Sequence, residues 1–200
     1  MPSNQHKIYC ATGNPGKLRE FQLAAQLLNI DMQPLPDLKS IAAPEETGAT
    51  FEENAILKAE YYSRFASCPL FADDSGLAVD ALNGAPGVYS ARYAGRGAND
   101  AANNTLLLER LANQSNRNAR FVCVIALAES GKADRTFRGE VEGQILPEAR
   151  GPGGFGYDPL FYYPPFGCSF GEVDDARKFT VSHRGNALRA MLQYLTNVSR

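Results

Sequence analysis

Residues 120–128, RFVCVIALA, and 135–145, RTFRGEVEGQI, are two strand-like runs with Ser130-Gly131 in the link between them. Strands joined by so short a turn pair antiparallel. Elsewhere strand-like segments alternate with helical ones, and strands connected through helices pair in parallel. A sheet that holds both kinds of connection is mixed. The chain is therefore expected to be α/β, with a mixed sheet and flanking helices.

The remaining elements follow from local signals. A first strand is expected over residues 7–11 and a loop over 12–17. A helix comes next, with Leu18, Phe21, Leu23, Ala24, Leu27 and Leu28 on one broad face. A second strand falls near 32–35. Pro36, Pro44 and Gly48 break the segment after it. Thr50-x-x-Glu53 is a capping box that opens a helix with Phe51, Ala55, Ala59, Tyr62 and Ala66 on its buried stripe. A short strand over 70–72 is expected to end in Asp73-Asp74-Ser75-Gly76, with a separate strand over 77–82 beyond it. Asn83-Gly84 and Pro86-Gly87 mark turns. Asn99 caps a helix carrying Leu106, Leu107, Leu108 and Leu111. Residues 151–156 form a glycine-rich loop, and Ser182 caps a last helix that runs to about residue 195.

With 200 residues the chain is long enough for one compact domain, 1–200, or two joined lobes with their own core. A net charge of -2 argues against a nucleic-acid partner, which usually faces a basic surface, but allows a small basic pocket. No apolar run approaches the ~20 residues of a membrane helix. The polar start, residues 1–7, lacks a signal-peptide core, so the cytosol is the expected compartment and no membrane partner is expected. Cys10, Cys68, Cys123 and Cys168 are widely spaced without a C-x-x-C pair and read as buried free thiols.

Four clusters can carry chemistry. In Thr12-Gly13-Asn14-Pro15-Gly16-Lys17 a strand feeds a glycine-bearing loop and then a helix, whose free N–H groups and positive dipole end suit an anion. An ordinary strand-to-helix turn carries similar wording. It is not a Walker A loop, which needs glycine at Ala11 and Ser or Thr at Leu18. The second cluster is acidic: Glu45, Glu46, Glu52, Glu53, Asp73 and Asp74. Hard oxygens suit Mg²⁺, which takes one or two carboxylates with substrate phosphates and water. Glu52 reads as helix-dipole decoration. Glu45, in a loop, and Asp74, at an expected strand end, gain nothing from a dipole and are candidate ligands or bases.

The third cluster, Gly151 to Asp158, surrounds Phe155 and Tyr157 with glycines, as in a loop that wraps a flat ligand; either ring could stack on a base, worth ~1–3 kcal/mol. An inward-tucked surface loop would look the same. The fourth is Lys178 with Ser182-His183-Arg184-Gly185 at a helix start. A Ser-His-Asp hydrolase would need Ser75 as nucleophile, and the missing G-x-S-x-G elbow argues against it. The lack of any His or Cys pair with ligand spacing argues against zinc.

Together the stretches ATGNPGKLREF, EETGATFEENAILKA, FADDSGLAVDALNGAPGVYSARYAG, GPGGFGYDPLF and SHRGNAL, in this order, resemble the inosine triphosphate pyrophosphatase family, the dITP/XTP pyrophosphatases, in its bacterial branch. The resemblance spans residue 11 to about 190. It implies an elongated, twisted mixed sheet in two lobes with the active site in a cleft between them, usually as a homodimer. It implies a nucleoside triphosphate substrate, cut between the α- and β-phosphates with Mg²⁺ as cofactor. By similarity Asp74 is the general base, and Glu45 with Asp74 holds Mg²⁺, with Glu46 as the alternative to Glu45. Thr12, Gly13, Asn14 and Lys17 cradle the triphosphate with Lys58 and Ser75. Phe155, Gly156, Tyr157, Asp158, Lys178, His183 and Arg184 hold base and sugar. Donors such as Arg184 would favour the 6-oxygen of hypoxanthine and xanthine over the 6-amino group of adenine.

Overall fold

In the computed structural model the structure describes residues 7–198. The polar tail before Lys7, with His6, lies outside them. Seven strands form one mixed sheet in the order β2-β1-β3-β4-β5-β6-β7. Strand β1 (Ile8–Cys10) pairs in parallel with both β2 (Met32–Pro34) and β3 (Leu70–Val79). Strands β4 (Asn118–Glu129) and β5 (Lys132–Ile145) are the expected hairpin. Ser130 and Gly131 both take positive φ, 51° and 82°, the backbone of a type I′ turn that matches the twist of the flanking strands. Strand β5 pairs antiparallel with β6 (Phe161–Tyr163), and β6 with β7 (Cys168–Ser169). Among the described residues, five α-helices accompany the sheet: α1 (Pro15–Leu28), α2 (Phe51–Ser63), α3 (Asp100–Arg110), α4 (Asp175–Phe179) and α5 (His183–Val198). Among the described residues no helix is long and apolar enough to cross a membrane.

The chain divides into two compact units. One gathers the described parts of 1–74, 123–139 and 184–200; the other gathers 75–122 and 140–183. In the first unit Leu70 and Ala72 of β3 pack with Ala55, Ala59 and Tyr62 of α2. The neighbouring residue Phe71 instead meets Phe21 of α1, edge to face at 5.1 Å. Successive side chains of a strand point to opposite faces, so β3 is covered by a different helix on each side. Thr50 caps α2 as expected: its side chain accepts from Glu53 N–H, and Glu53 reaches back to Thr50 N–H.

The second unit has its own core, in which Leu77 and Val79 of β3 join Leu107 of α3, Leu111 just past its end and the rings of Phe121, Phe161 and Phe170. Strand β3 does not break at Asp73-Asp74-Ser75-Gly76, contrary to the sequence expectation; it runs through all ten residues. The helical turn at Gly87–Arg92 explains why glycine is needed there. A Cβ at Gly76 would sit 2.3 Å from Ser90 Oγ and 2.6 Å from the Gly87 carbonyl oxygen. Ser90 Oγ in turn accepts from Leu77 N–H at 2.9 Å and donates to Gly87 C=O at 2.6 Å.

All four cysteines are free, with Cys10 and Cys123 buried and Cys68 and Cys168 half-buried. Burial pushes the Cys10 and Cys123 thiols well up, helped by the Asp73 carboxylate.

Gly76→Ala should push the Ser90 turn away from β3 and destabilise the protein by roughly 1–3 kcal/mol, as overpacking commonly does. Chemical denaturation monitored by circular dichroism measures this; an unchanged midpoint would mean the turn moves freely.

Candidate active site

The uninterrupted β3 sets the geometry. Because its side chains alternate, Asp73 and Asp74 face opposite sides of the strand and meet different helices. Asp73 lies on the α1 side with Phe71. Its Oδ2 accepts from Lys17 Nζ at 3.0 Å. Asp74 lies on the α2 side, where its Oδ1 accepts from Lys58 Nζ at 2.9 Å. Lys58 also reaches Glu46 Oε1 at 3.0 Å. Asn54, one helical turn before Lys58 on α2 and fully buried, donates to Asp74 Oδ2 at 3.4 Å and accepts from Gly48 N–H at 2.8 Å. That second bond ties the 45–48 loop to the carboxylate pair. Asp74 thus occupies the middle of a strand, not a strand end. A strand interior with a lysine and an amide on it holds a carboxylate more rigidly than a loop could.

The two aspartates titrate in opposite directions. Burial pushes Asp73 up, but Lys17, Arg184 and Lys58 together outweigh it and hold its carboxyl below the ordinary 3.8. For Asp74 burial wins: Lys58 and Lys17 offset it only partly, Glu46 adds to it, and the carboxyl stands above 3.8. Asp73 is thus a fixed anion, whereas Asp74 has the higher proton affinity that a general base requires.

Arg184, at the start of α5, is buried against Glu20 of α1 in a charge-assisted hydrogen bond, and its charge also favours the anionic Asp73. Of the charged groups in this unit, Lys17, Lys58 and Arg184 stand against Glu20, Glu46, Asp73 and Asp74, three cations facing four carboxylates. Glu45 is exposed, so the glutamate that the structure brings to Asp74 through Lys58 is Glu46. Among the described residues no three His, Cys, Asp or Glu side chains gather into a metal cage. Asp74 and Glu46 supply hard oxygens, and Mg²⁺ commonly completes its shell with substrate phosphates and water. The donor set therefore fits a Mg²⁺ that shares its coordination with a triphosphate, and does not fit a permanently caged metal.

The α1 start differs from expectation. The helix begins at Pro15, with Lys17 in its first turn, and Asn14 is its cap: the side-chain oxygen accepts from Gly16 N–H at 2.9 Å and Lys17 N–H at 3.1 Å. Asn14 N–H donates to Thr12 Oγ1 at 3.3 Å, and Pro15 has no N–H to offer. The first-turn amides expected to bind phosphate are thus occupied by the helix cap. Thr12 is half-buried and Gly13 exposed; a Cβ at Gly13 would meet nothing within 4 Å, which leaves room for a ligand there. Lys17 gives one contact to Asp73, and an ammonium carries three donors.

In the second unit Ser75 is half-buried on β3. The glycine-rich loop is packed mainly against its own protein. A Cβ at Gly151 would fall 2.1 Å from Gly171 O, and one at Gly154 would fall 2.4 Å from Asp158 Oδ2. Asp158 Oδ2 accepts from Phe155 N–H at 2.8 Å and from the buried Lys178 Nζ at 2.5 Å. The Lys178 ammonium also sits 5.0 Å from the Phe155 ring centre and 5.7 Å from that of Phe170. Tyr157 is buried and donates its hydroxyl to Ser90 C=O at 2.8 Å, so it anchors the loop. Phe155, half-buried, keeps a partly open ring. His183 is buried and stacks on Phe121 at 4.8 Å.

Sequence reasoning named Asp73 without giving it a role and missed Asn54 and Glu20. Their signal was present: Asn54 precedes Lys58 by four residues and Glu20 follows Lys17 by three, each on one helix face.

A model described as the Ham1 family matches residues 8–194. A dITP/XTP pyrophosphatase of Exiguobacterium sibiricum is 48% identical over 192 residues, covering 95% of this chain and 97% of that protein. One from Thermus thermophilus is 50% identical over 189 residues, covering 94% and 90%. Among solved structures, a HAM1 protein from Coxiella burnetii aligns with a TM-score of 0.85 at 44% identity, over 96% of this chain and 99% of that one. The Ham1 protein of Staphylococcus aureus aligns with a TM-score of 0.84 at 40% identity, over 96% and 98%.

Because the folded pKa of Asp73 lies below its unfolded value, its ionised form stabilises the fold above pH 3.8, and that stabilisation is lost as pH falls through the depressed folded value. Asp73→Asn should therefore be less stable than the parent at neutral pH, with the gap closing in acid. Urea unfolding at several pH values in EDTA measures the gap; a constant difference would contradict the ionic role.

Proposed function

The chain belongs to the Ham1 family, and from that premise we propose that it hydrolyses the non-standard purine nucleoside triphosphates ITP, dITP and XTP to the monophosphate and pyrophosphate. The observation that carries the chemistry is Asp74, a buried carboxylate of raised proton affinity fixed in mid-strand beside Lys58.

Phosphoanhydride hydrolysis depends mainly on positioning and charge neutralisation. Lys17 and Lys58 oppose the negative charge of a triphosphate that lies along the open Thr12-Gly13 turn. Asp74 accepts a proton from water as the water oxygen bonds to the α-phosphorus. The bond from the α-phosphorus to its bridging oxygen breaks, and pyrophosphate leaves with that oxygen. Asp74 with Glu46 or Glu45 would hold Mg²⁺, which would supply charge neutralisation and polarisation of the phosphates. Lys58 between Asp74 and Glu46 keeps the two carboxylates together until the metal and substrate arrive.

Phe155 offers its open ring to the base, while Tyr157, Asp158 and Lys178 fix the loop that carries it. Arg184, held by Glu20 at the start of α5, adds positive charge to the site that receives the purine nucleotide. The protein acts as a homodimer in the cytosol, where its four free cysteines stay reduced.

A pyrophosphate-release assay with ITP, dITP, XTP, GTP and ATP, with and without Mg²⁺, tests this reading. IMP and pyrophosphate are expected from ITP; IDP and orthophosphate as first products would sink it. Asp74→Asn keeps the shape and removes the base, so turnover should fall at least ~10²-fold. Near-normal turnover in the folded variant would remove Asp74 from the mechanism. Lys17→Ala should weaken ITP binding more than inosine binding in calorimetric titration, since it deletes a phosphate contact and spares the base; equal losses would make Lys17 structural.

A further inference from the structure

Gly156 stands apart from the rest of the glycine-rich loop. Its neighbours are pinned within the loop's own surroundings: Phe155 N–H to Asp158, Tyr157 hydroxyl to Ser90, and Asp158 to Lys178. Gly156 itself has a left-handed backbone, φ 60°, and a Cβ there would meet nothing within 4 Å. Side-chain packing therefore does not fix it. Helix α3 does. Asp100 Oδ2 accepts from Gly156 N–H at 2.6 Å, and Asn104 Nδ2 donates to Gly156 C=O at 3.1 Å. Asp100 and Asn104 are four residues apart and so share one face of α3. One helix face thereby holds the peptide groups on both sides of a glycine that could otherwise rotate.

Two details give the contact weight. The Asp100 bond is short and charge-assisted, the stronger class of hydrogen bond. Asn104 Oδ1 is buried without a hydrogen-bond partner among the described residues. The amide thus keeps its orientation toward Gly156 at the expense of an unmade bond elsewhere.

We propose that Asp100 and Asn104 are positioning residues that hold the Phe155-Gly156 segment in the conformation that receives the purine base. The proposal rests on the pyrophosphatase reading above. Asp100 is exposed, and the cap of α3, Asn99 Oδ1 accepting from Ala102 N–H at 2.9 Å, survives its substitution, so Asp100→Ala should fold.

The test joins amide exchange with kinetics. In Asp100→Ala, the Gly156 amide, followed by NMR, should exchange faster than in the parent protein. KM for ITP should rise about 5- to 20-fold with kcat nearly unchanged, the mark of lost ground-state positioning. Asn104→Ala should move KM the same way. Asp100→Asn, which keeps an acceptor without the charge, should restore most of the lost affinity. Unmoved exchange and KM in both alanine variants would overturn the proposal. So would a fall in kcat with KM unmoved, which signals a smaller folded fraction. If the parent protein fails to hydrolyse ITP, the pyrophosphatase reading falls, while Gly156 exchange still reports on the tether.

Discussion

Two adjacent aspartates on one strand, each facing its own helix and its own lysine, are the constraint on which the first unit depends. Strand alternation sends Asp73 to Lys17 of α1 and Asp74 to Lys58 of α2. Burying the carboxylates of Glu20, Asp73 and Asp74 among apolar residues is costly unless each is paired or hydrogen-bonded. The cations come from the first turn of α1, the middle of α2 and the start of α5, so the helices are docked by the charges as well as by Phe21, Ala55 and Ala59. The pairing is deliberately uneven. Asp73 is held ionised, whereas Asp74 is left with a raised proton affinity, a departure that functional carboxylates show more often than structural ones.

The second unit uses a different device. Its glycine-rich loop is fixed by close backbone approach, at Gly151 against Gly171 and at Gly154 against Asp158, and by a buried Asp158–Lys178 pair under the Phe155 ring. Such a loop is ordered before any ligand binds. Pre-ordering lowers the conformational entropy that binding must overcome, and it suits a site that discriminates between purines differing at one or two ring positions.

Much of this was legible in the sequence because the signals are local. The Ser130-Gly131 hairpin, the Thr50-x-x-Glu53 box and the Ala55-Ala59-Tyr62 stripe of α2 each lie within a few residues, whereas the expected α1 stripe holds only in part: Phe21 and Ala24 are buried, but Leu27 and Leu28 are exposed. The full length of β3 is hidden in the sequence because Asp73-Asp74-Ser75-Gly76 interrupts its apolar residues with a loop-like run, and the helices covering each face are not visible locally. The Asn14 cap was hidden for a related reason: a phosphate-binding turn and a self-capped helix start share the same residue types. The partners of Tyr157 and Lys178, Ser90 and Asp158, lie 67 and 20 residues away in sequence, beyond any local pattern. Glu45 and Glu46 are adjacent, and only the tertiary position of Lys58 separates them.

The division of labour between Asp73 and Asp74 is most directly tested by carboxyl ¹³C NMR titration of the metal-free protein, with Asp73→Asn and Asp74→Asn assigning the two resonances. Asp73 should titrate below 3.8 and Asp74 above it. Reversed order, or two carboxyls displaced to the same side of that value, would contradict the assignment of one as fixed anion and the other as base.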